Sequence, residues 1–239
     1  MLADFPIDSA HCGTLSKELH RPMAFLHEML DFIANELPRW RDDPERPVAT
    51  SETALTEHLC DFLSGAARRS QGWDILQFRN ESIDEKKKSR KIDLAPKPCG
   101  ATIWIDGRRH TQYDKLLPIE CKRLPTPKEK DRDEREYVYS QYSSTGGIQR
   151  FKAGHHGAQH SLGAMIGYVQ QDTATAWGDR VRAWIAGLIE SGETGWSDSD
   201  LLLAVQDDME RRIAVFRSSH DRANGLSKIE LRHLWIQMN

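Results

Sequence analysis

Apolar residues recur at the spacing of an α-helix in three separate stretches of the chain. A first helix is predicted to begin near Pro22, a residue that suits a first helical turn, and to end at Pro38. A second is predicted to follow Ser51, a suitable N-cap, and a third is predicted to end at Gly192. Their apolar faces are formed by Met23, Leu26, Leu30, Ile33 and Leu37, by Leu55, Leu59, Phe62, Leu63 and Ala66, and by Trp177, Val181, Trp184, Ile185 and Leu188.

Shorter apolar segments between and after these helices have the patterns typical of β-strands. A further short helix is predicted in the glycine-rich segment that starts at Gly146. The order of these elements predicts an α/β (α+β) fold, in which helices flank one mixed sheet. The predicted strands cover residues 73–79, 91–95, 101–106, 116–122, 162–170, 212–218 and 229–237.

The length of 239 residues fits one large domain better than two. Within 1–239, a core is expected over about 51–170, with an N-terminal helical extension over 14–40 and a C-terminal helix and β-hairpin over 172–239. No apolar run approaches the roughly 20 residues of a membrane-spanning helix, and the N-terminus lacks the features of an export signal. We therefore expect a cytoplasmic protein with no membrane partner.

Charge and motif content argue against several classes of function. Thirty-three basic and 36 acidic residues give a net charge of -3, so nucleic-acid binding would require a local basic patch. The four cysteines are scattered without a CxxC pair, which disfavours a zinc ribbon or a disulfide scaffold. No Walker-type loop, GxSxG or HExxH motif indicates an ATPase, a serine hydrolase or a zinc protease.

Two predicted strands carry acidic and basic side chains where their flanking residues are apolar. Glu120 and Lys122 are two positions apart on one strand, so both project from the same face. Charges that end a largely buried strand need a partner, and Asp93 on another strand is a candidate. Two carboxylates and a lysine suit a hard divalent cation and phosphodiester hydrolysis. The alternative is a cross-strand ion pair at the edge of the sheet.

Asp93, the 26 intervening residues and Glu120-Cys121-Lys122 resemble the motif of the PD-(D/E)XK nuclease superfamily, the restriction-endonuclease-like fold. The family core is a helix, three antiparallel strands, a helix and a strand, and the predicted elements over 51–170 follow that order. One departure is Ile92, where the motif has proline. The segment GGIQRFKAGHHG, followed by AMIGYV, also resembles the corresponding segment of bacterial restriction-like and defence-associated nucleases.

This resemblance implies a role for each residue of the motif. It implies Mg²⁺, for which Mn²⁺ can substitute, held by Asp93, Glu120 and the main-chain carbonyl of Cys121. It implies that Lys122 positions the attacking water. Gln149, in the helix after the motif, is expected to face the scissile phosphate or the water, with a surface position as the alternative.

Members of the superfamily often add an acidic residue from the first core helix. At about 100° per residue, Glu52 falls within about 40° of the centre of the apolar face, whereas Glu57 falls opposite. Glu52 is therefore the expected inward carboxylate, bound to the metal through water. The alternative is a first-turn glutamate that only interacts favourably with the helix dipole.

Basic residues close to the motif are expected to contact the phosphate backbone. Lys88, Arg90 and Lys91 lead into Asp93, although such a cluster can equally be a solvated hairpin tip. Arg150 is a further phosphate contact, because a guanidinium can bind two oxygens, and its alternative is a surface position.

Several histidines allow a different interpretation. His155, His156 and His160 have a spacing that could bind zinc, but no cysteine or acidic residue lies nearby in sequence. A surface position, or one next to the phosphate, is therefore favoured for them. His220 and His233 are expected to be structural histidines whose hydrogen bonds are satisfied.

The leading hypothesis is a metal-dependent endonuclease that acts on DNA in preference to RNA, in a bacterial restriction or anti-phage defence system. It would work as a homodimer or with a partner subunit of a defence complex. The alternative hypothesis is a catalytically inactive, nuclease-like subunit that binds nucleic acid or serves assembly.

Overall fold

The structure is a computed structural model that describes residues 17–84, 87, 90–130, 132–142 and 146–239. The helices are α1 (Ala24–Arg41), α2 (Glu52–Arg69), α3 (Gly147–Lys152) and α4 (Ala174–Glu190), with a short 3₁₀ helix at Asp198–Asp200. The strands are β1 (Lys17–Arg21), β2 (Leu76–Ile83), β3 (Lys91–Pro98), β4 (Ala101–Ile105), β5 (Arg108–His110), β6 (Ile119–Leu124), β7 (Leu162–Val169), β8 (Leu203–Asp208), β9 (Ile213–His220) and β10 (Ile229–Gln237). Within these ranges, no helix has both the length and the apolar character needed to cross a bilayer.

Seven strands form the main sheet, in the order β2-β3-β6-β7-β10-β9-β8. Neighbouring strands are antiparallel on both sides of the sheet, whereas β6, β7 and β10 run parallel at its centre. A second sheet contains β1, β4 and β5 and is also mixed. Over the described residues the protein is therefore a mixed α/β fold, as predicted, with two mixed sheets and four α-helices.

Both faces of the main sheet are covered by helices. The residues of α1 and α2 belong to one apolar cluster, and those of α3 and α4 belong to a second. All residues of β7 are buried, as expected for a central strand with a helical layer on each side. Side chains of the central strands therefore lie in the interior whichever face they project from, so a charged residue there needs charged or polar neighbours.

Local sequence predicts the start of α2 correctly but not the end of α1. Ser51 caps α2 as predicted, because its hydroxyl accepts the N–H of Ala54 at 3.3 Å. The prediction that Pro38 ends α1 is wrong, since the helix continues to Arg41. Arg41 donates to the main-chain oxygen of Arg211 at 2.8 Å, and this tertiary contact stabilises the turn after the proline.

Several strands differ from their prediction. Strands β1, β5 and β8 were not predicted, because β5 has three residues and β8 is exposed along almost its whole length. Strand β4 pairs with β1 and β5 and does not join the main sheet. The expected N-terminal helical extension over 14–40 therefore begins with a strand, and its residues 14–16 lie outside the described residues.

The C-terminal helix and hairpin are present where they were predicted. Helix α4 is followed by β9 and β10, which pair in antiparallel fashion. Strand β10 also pairs in parallel with β7 over eight residue pairs, from Glu230–Leu162 to Gln237–Val169. The C-terminal segment therefore completes the main sheet and is part of the same core.

A buried chain of hydrogen bonds links β9 and β10 to the loops beside them. At one end of this chain Trp235 can only donate, and at the other end an ionised Asp200 can only accept. Every hydrogen bond between them can therefore form when His233 and His220 are both neutral. Three consecutive members, Asp200, His220 and Ser218, resemble a hydrolase triad. Ser218 is buried, however, with only 3% of the residue surface exposed. The members, in order, are Trp235, Tyr137, His233, Ser218, His220 and Asp200.

Ser218 is the central link of this chain. Its oxygen lies 2.8 Å from Nε2 of His233 and 2.6 Å from Nε2 of His220. Burial lowers the pKa of both histidines, and that of His233 falls well below its usual value. Both are satisfied structural histidines, as predicted.

Replacement of Ser218 by alanine should destabilise the protein by about 2–4 kcal/mol, because it leaves one buried nitrogen on each histidine unsatisfied. Ser219→Ala is the matched control, since Ser219 is exposed on the same strand, and it should change stability by less than about 0.5 kcal/mol. Urea unfolding measures both free energies. Equal values for the two variants would contradict the buried chain.

The free energy of unfolding should decrease as the pH falls below 6.5, the usual histidine pKa. The folded pKa values of His220 and His233 lie lower, so the unfolded state binds more protons in this range. The slope should reach about 1.4 kcal/mol per pH unit for each histidine. Urea unfolding between about pH 5.5 and about pH 7.5 tests this, and His233→Gln should reduce the slope. Equal slopes for the wild type and His233→Gln would be inconsistent with a neutral buried His233.

Candidate active site at the centre of the main sheet

Strands β3 and β6 bring the predicted motif together. Leu94 pairs with Ile119 in antiparallel register, so one step along the strands places Asp93 opposite Glu120. The carboxylate of Asp93 accepts the main-chain N–H of Cys121 at 2.8 Å. The two carboxylates predicted to act together therefore lie on adjacent strands at the centre of the sheet.

Glu120 is completely buried and is surrounded by cationic groups. Its Oε1 lies 3.0 Å from Nζ of Lys122 and is in direct contact with Nη1 of Arg150. Its Oε2 lies 3.4 Å from Nε2 of His156. Burial alone would raise the pKa of Glu120, but the charges of Lys122 and Arg150 lower it to about 2, so the carboxylate is ionised.

Lys122 connects this strand to α2. Its Nζ lies 2.9 Å from Oε1 of Glu52, and the other oxygen of Glu52 accepts the N–H of Arg123 at 3.2 Å. Glu52 thus joins the cluster, as its position on the helix predicted, while Glu57 is exposed. Burial would lower the pKa of Lys122, but Glu120 and Glu52 raise it, so the ammonium keeps its charge.

The pKa of Asp93 shifts in the opposite direction to that of Glu120. Burial and the negative charge of Glu120 raise its pKa to about 8, despite the favourable charge of Lys122. Asp93 therefore carries a proton at neutral pH when no cation is bound. A divalent cation between the two carboxylates would replace this proton and relieve their repulsion.

The donor atoms present are compatible with Mg²⁺. Oε2 of Glu120 is buried without a hydrogen-bond partner, and Asp93 supplies a second carboxylate on the next strand. Burial raises the pKa of the Cys121 thiol well above its usual value, so only the main-chain carbonyl of this residue remains as a predicted ligand. In the described part of the chain, no three His, Cys, Asp or Glu side chains form a metal-holding group by themselves. A magnesium ion here would keep several waters, as this ion commonly does.

The two candidates on α3 have different surroundings. Arg150 reaches Glu120, with 23% of its side chain exposed. The side-chain oxygen of Gln149 accepts the N–H groups of Gly146 and Ser140, each at 3.2 Å. Gln149 also lines a cavity of about 340 Å³ that includes Lys152 but none of the motif carboxylates. The structure therefore brings Arg150 to the motif and places the oxygen of Gln149 at the start of α3.

The expected basic patch is only partly described. Lys91 is exposed and forms an ion pair with Glu81 at 2.6 Å. Arg90 is half-buried, and its main-chain carbonyl accepts the N–H of Asp84 at the end of the hairpin. Lys88 lies outside the described residues. Lys91 and Arg90 remain candidates for phosphate contact because neither belongs to the buried cluster.

His156 was expected at the surface or beside the phosphate, but it is 97% buried against Glu120, with 3% of its surface exposed. Gly154 and Gly157 flank the two histidines with φ of +65° and +60°, a conformation that favours glycine. This turn directs one histidine inward, and His155 is half-buried. The only signal in the sequence is the pair of glycines around the histidines.

Solvent reaches the cluster at three of its side chains. Asp93 is partly exposed, and Glu52 and Arg150 have 26% and 23% of their side chains exposed. Glu120 and Lys122 lie behind them with 1% and 5% exposed. A ligand would therefore meet Asp93, Glu52 and Arg150 first.

Replacement of Lys122 by methionine should destabilise the protein by about 3–5 kcal/mol, because Glu120 loses one of its buried compensating charges. Lys91→Met is the matched control. Its ion pair has both partners more than half exposed, so the loss should stay below about 1 kcal/mol. Chemical denaturation at neutral pH measures both values, and a small effect at Lys122 would show that the cluster is not strongly coupled.

Similarity to known proteins provides no information about this arrangement. No family model, no curated protein and no solved structure matches the chain. The function has to be inferred from the charges and distances of the cluster itself.

Proposed function

We propose that this protein is a metal-dependent endonuclease that hydrolyses phosphodiester bonds in DNA, with Mg²⁺ as cofactor and Mn²⁺ as a substitute. The observation that carries this proposal is the meeting of Asp93, Glu120 and Lys122 in one buried cluster. Lys122 lies 3.0 Å from Glu120, and Asp93 lies on the neighbouring strand. Two carboxylates beside a cationic side chain can hold a divalent cation next to a phosphate.

The order of elements around the cluster supports the proposal. Helix α2 is followed by β2, β3 and β6, which pair in antiparallel fashion, and then by α3 and the parallel strand β7. This is the order that resemblance to the PD-(D/E)XK superfamily implies. Strands β4 and β5 are inserted between β3 and β6 and belong to the smaller sheet.

Each residue of the cluster has a role that follows from its charge and contacts. A bound Mg²⁺ supplies polarisation of the phosphate and activation of a water molecule. Asp93 and Glu120 would hold it, and Asp93 would lose its proton on binding. Lys122 keeps its charge, so it orients the water or stabilises the transition state rather than accepting a proton. Glu52 holds Lys122 in position.

Arg150 is the group best placed to meet the substrate. In the absence of a cation its guanidinium contacts Glu120 and compensates for the carboxylate charge. A cation on Glu120 would take over this compensation, and Arg150 would be free to bind two oxygens of a phosphate. Lys91 and Arg90 would extend the contact along the backbone, since they lie two and three residues before Asp93.

The choice of DNA over RNA, the cytoplasmic location and a bacterial restriction or anti-phage role follow from the family resemblance alone. The same source suggests a homodimer or a partner subunit of a defence complex, because two sites are needed to cut both strands. A basic patch near the site is compatible with any polynucleotide backbone.

The second candidate function is a catalytically inactive subunit that binds nucleic acid or serves assembly. One observation favours it: Lys122 and Arg150 both form ion pairs with Glu120 and compensate for its charge. A buried ion-pair cluster of this kind can serve structure alone. The two functions differ in one measurable property, which is cleavage.

Wild-type protein should cut DNA with Mg²⁺ or Mn²⁺ and should be inactive with EDTA. Glu120→Gln and Asp93→Asn should each lower the cleavage rate by at least about 100-fold, because each removes a carboxylate ligand. Glu129→Gln is the control, since that side chain is 61% exposed and outside the cluster, and it should keep full activity. Duplex DNA, single-stranded DNA and RNA are compared in the same assay.

Thermal unfolding of each variant shows whether a loss of cleavage reflects a loss of folding. Equal cleavage by wild type and Glu120→Gln would contradict the proposed site. DNA binding without cleavage by the folded wild type, with either metal, would support the inactive subunit instead.

A further inference from the structure

Two buried polar atoms face each other inside the cluster, and neither has a hydrogen-bond partner among the described residues. They are Nε2 of His156 and Oε2 of Glu120, which lie 3.4 Å apart. His156 is 3% exposed and Glu120 is fully buried. Unsatisfied buried polar atoms cost free energy, so a pair of them at one point is compatible with a water molecule or an ion bound between them.

The separation of the two atoms fits ligands of one metal ion. Two donor atoms that each lie about 2.1 Å from a metal are about 3.0 Å apart at an octahedral angle and about 3.4 Å apart at a tetrahedral angle. The observed 3.4 Å is about 0.4 Å longer than the octahedral value, so the two donor atoms would move slightly closer together on an octahedral ion such as Mn²⁺. A direct hydrogen bond from an imidazole N–H to a carboxylate would be about 2.7–2.9 Å.

The position of the imidazole is determined by its neighbours. The main-chain N–H of His156 donates to the carbonyl of Arg150 at 3.3 Å. The imidazole packs edge-on against the ring of Phe151, with 6.0 Å between the ring centroids. A Cβ on Gly157 would lie 2.7 Å from Pro118, so the turn approaches the start of β6 closely. The ring is thus held beside Glu120 by backbone and packing.

The side chain of His156 offers a suitable donor atom. Its Nε2 is buried and has no hydrogen-bond partner among the described residues, so its lone pair is available to a metal ion when the ring is unprotonated. A neutral imidazole nitrogen is a common ligand for transition metals.

We propose that His156 is a metal ligand at this site, so that Nε2 of His156 and Oε2 of Glu120 bind one cation. This inference rests on the proposed function, because it shares the ligand Glu120 with the proposed nuclease site. One nitrogen and carboxylate oxygens favour a first-row transition ion over Mg²⁺, which prefers oxygen ligands. The site should therefore select Mn²⁺ over Mg²⁺.

Electron spin-echo spectroscopy of bound Mn²⁺ tests the ligand directly, because a coordinated imidazole nitrogen couples to the metal. The full-length protein is loaded with Mn²⁺ alone. Wild type and His155→Asn should show the nitrogen coupling, and His156→Asn should lose it. His155 is the matched control because it is the adjacent histidine of the same turn. His156→Gln serves as a second variant if the first does not fold.

Calorimetric titration with each metal measures the selectivity of the site for Mn²⁺ over Mg²⁺. His156→Asn should weaken Mn²⁺ binding by at least about tenfold and should change Mg²⁺ binding much less. Bound Mn²⁺ without nitrogen coupling in the wild type would overturn the role of His156, while metal-dependent cleavage would keep the proposed function. Nitrogen coupling without cleavage would support His156 as a metal ligand and would contradict the proposed nuclease activity. No Mn²⁺ binding at millimolar concentration would overturn the metal site, including His156.

Discussion

A carboxylate that is completely buried in the middle of a sheet has to be compensated by charges that other elements bring to it, and Glu120 imposes this constraint here. Lys122 comes from the same strand, Arg150 from α3, and His156 from the turn that follows α3. The arrangement of β6 and α3 is therefore tied to one ionised side chain. Apolar residues of similar volume are often at least as stabilising at such positions, so stability alone does not account for the cluster.

The cluster also couples the two helical layers. Lys122 bridges Glu120 to Glu52 at the start of α2, and α2 packs in the apolar cluster on one side of the sheet. Arg150 belongs to α3, whose apolar residues lie in the other cluster. Asp93 is the member of the cluster whose negative charge is not compensated, since burial and Glu120 raise its pKa to about 8. A metal ion would remove this imbalance, on which the proposed chemistry depends, whereas the proposed selectivity for Mn²⁺ depends on the imidazole of His156.

Much of the site could be predicted from sequence because it depends on local periodicity. The same-face position of Glu120 and Lys122 follows from the strand repeat, and the inward position of Glu52 follows from the helical angle. The inward position of His156 could not be predicted, because it depends on a turn that packs on Pro118. The side-chain contacts of Gln149 depend in the same way on the loop before α3. The small sheet was missed because its pairings join segments far apart in sequence.

The most direct test of the account is a crystal structure of the protein soaked with Mn²⁺, with anomalous differences measured at the manganese edge. The account places a peak about 2.1 Å from carboxylate oxygens of Asp93 and Glu120, with Arg150 moved away from Glu120. A folded protein without a peak at this position, in which Arg150 still contacts Glu120, would contradict it. The cluster would then be an ion-pair network that serves the fold alone.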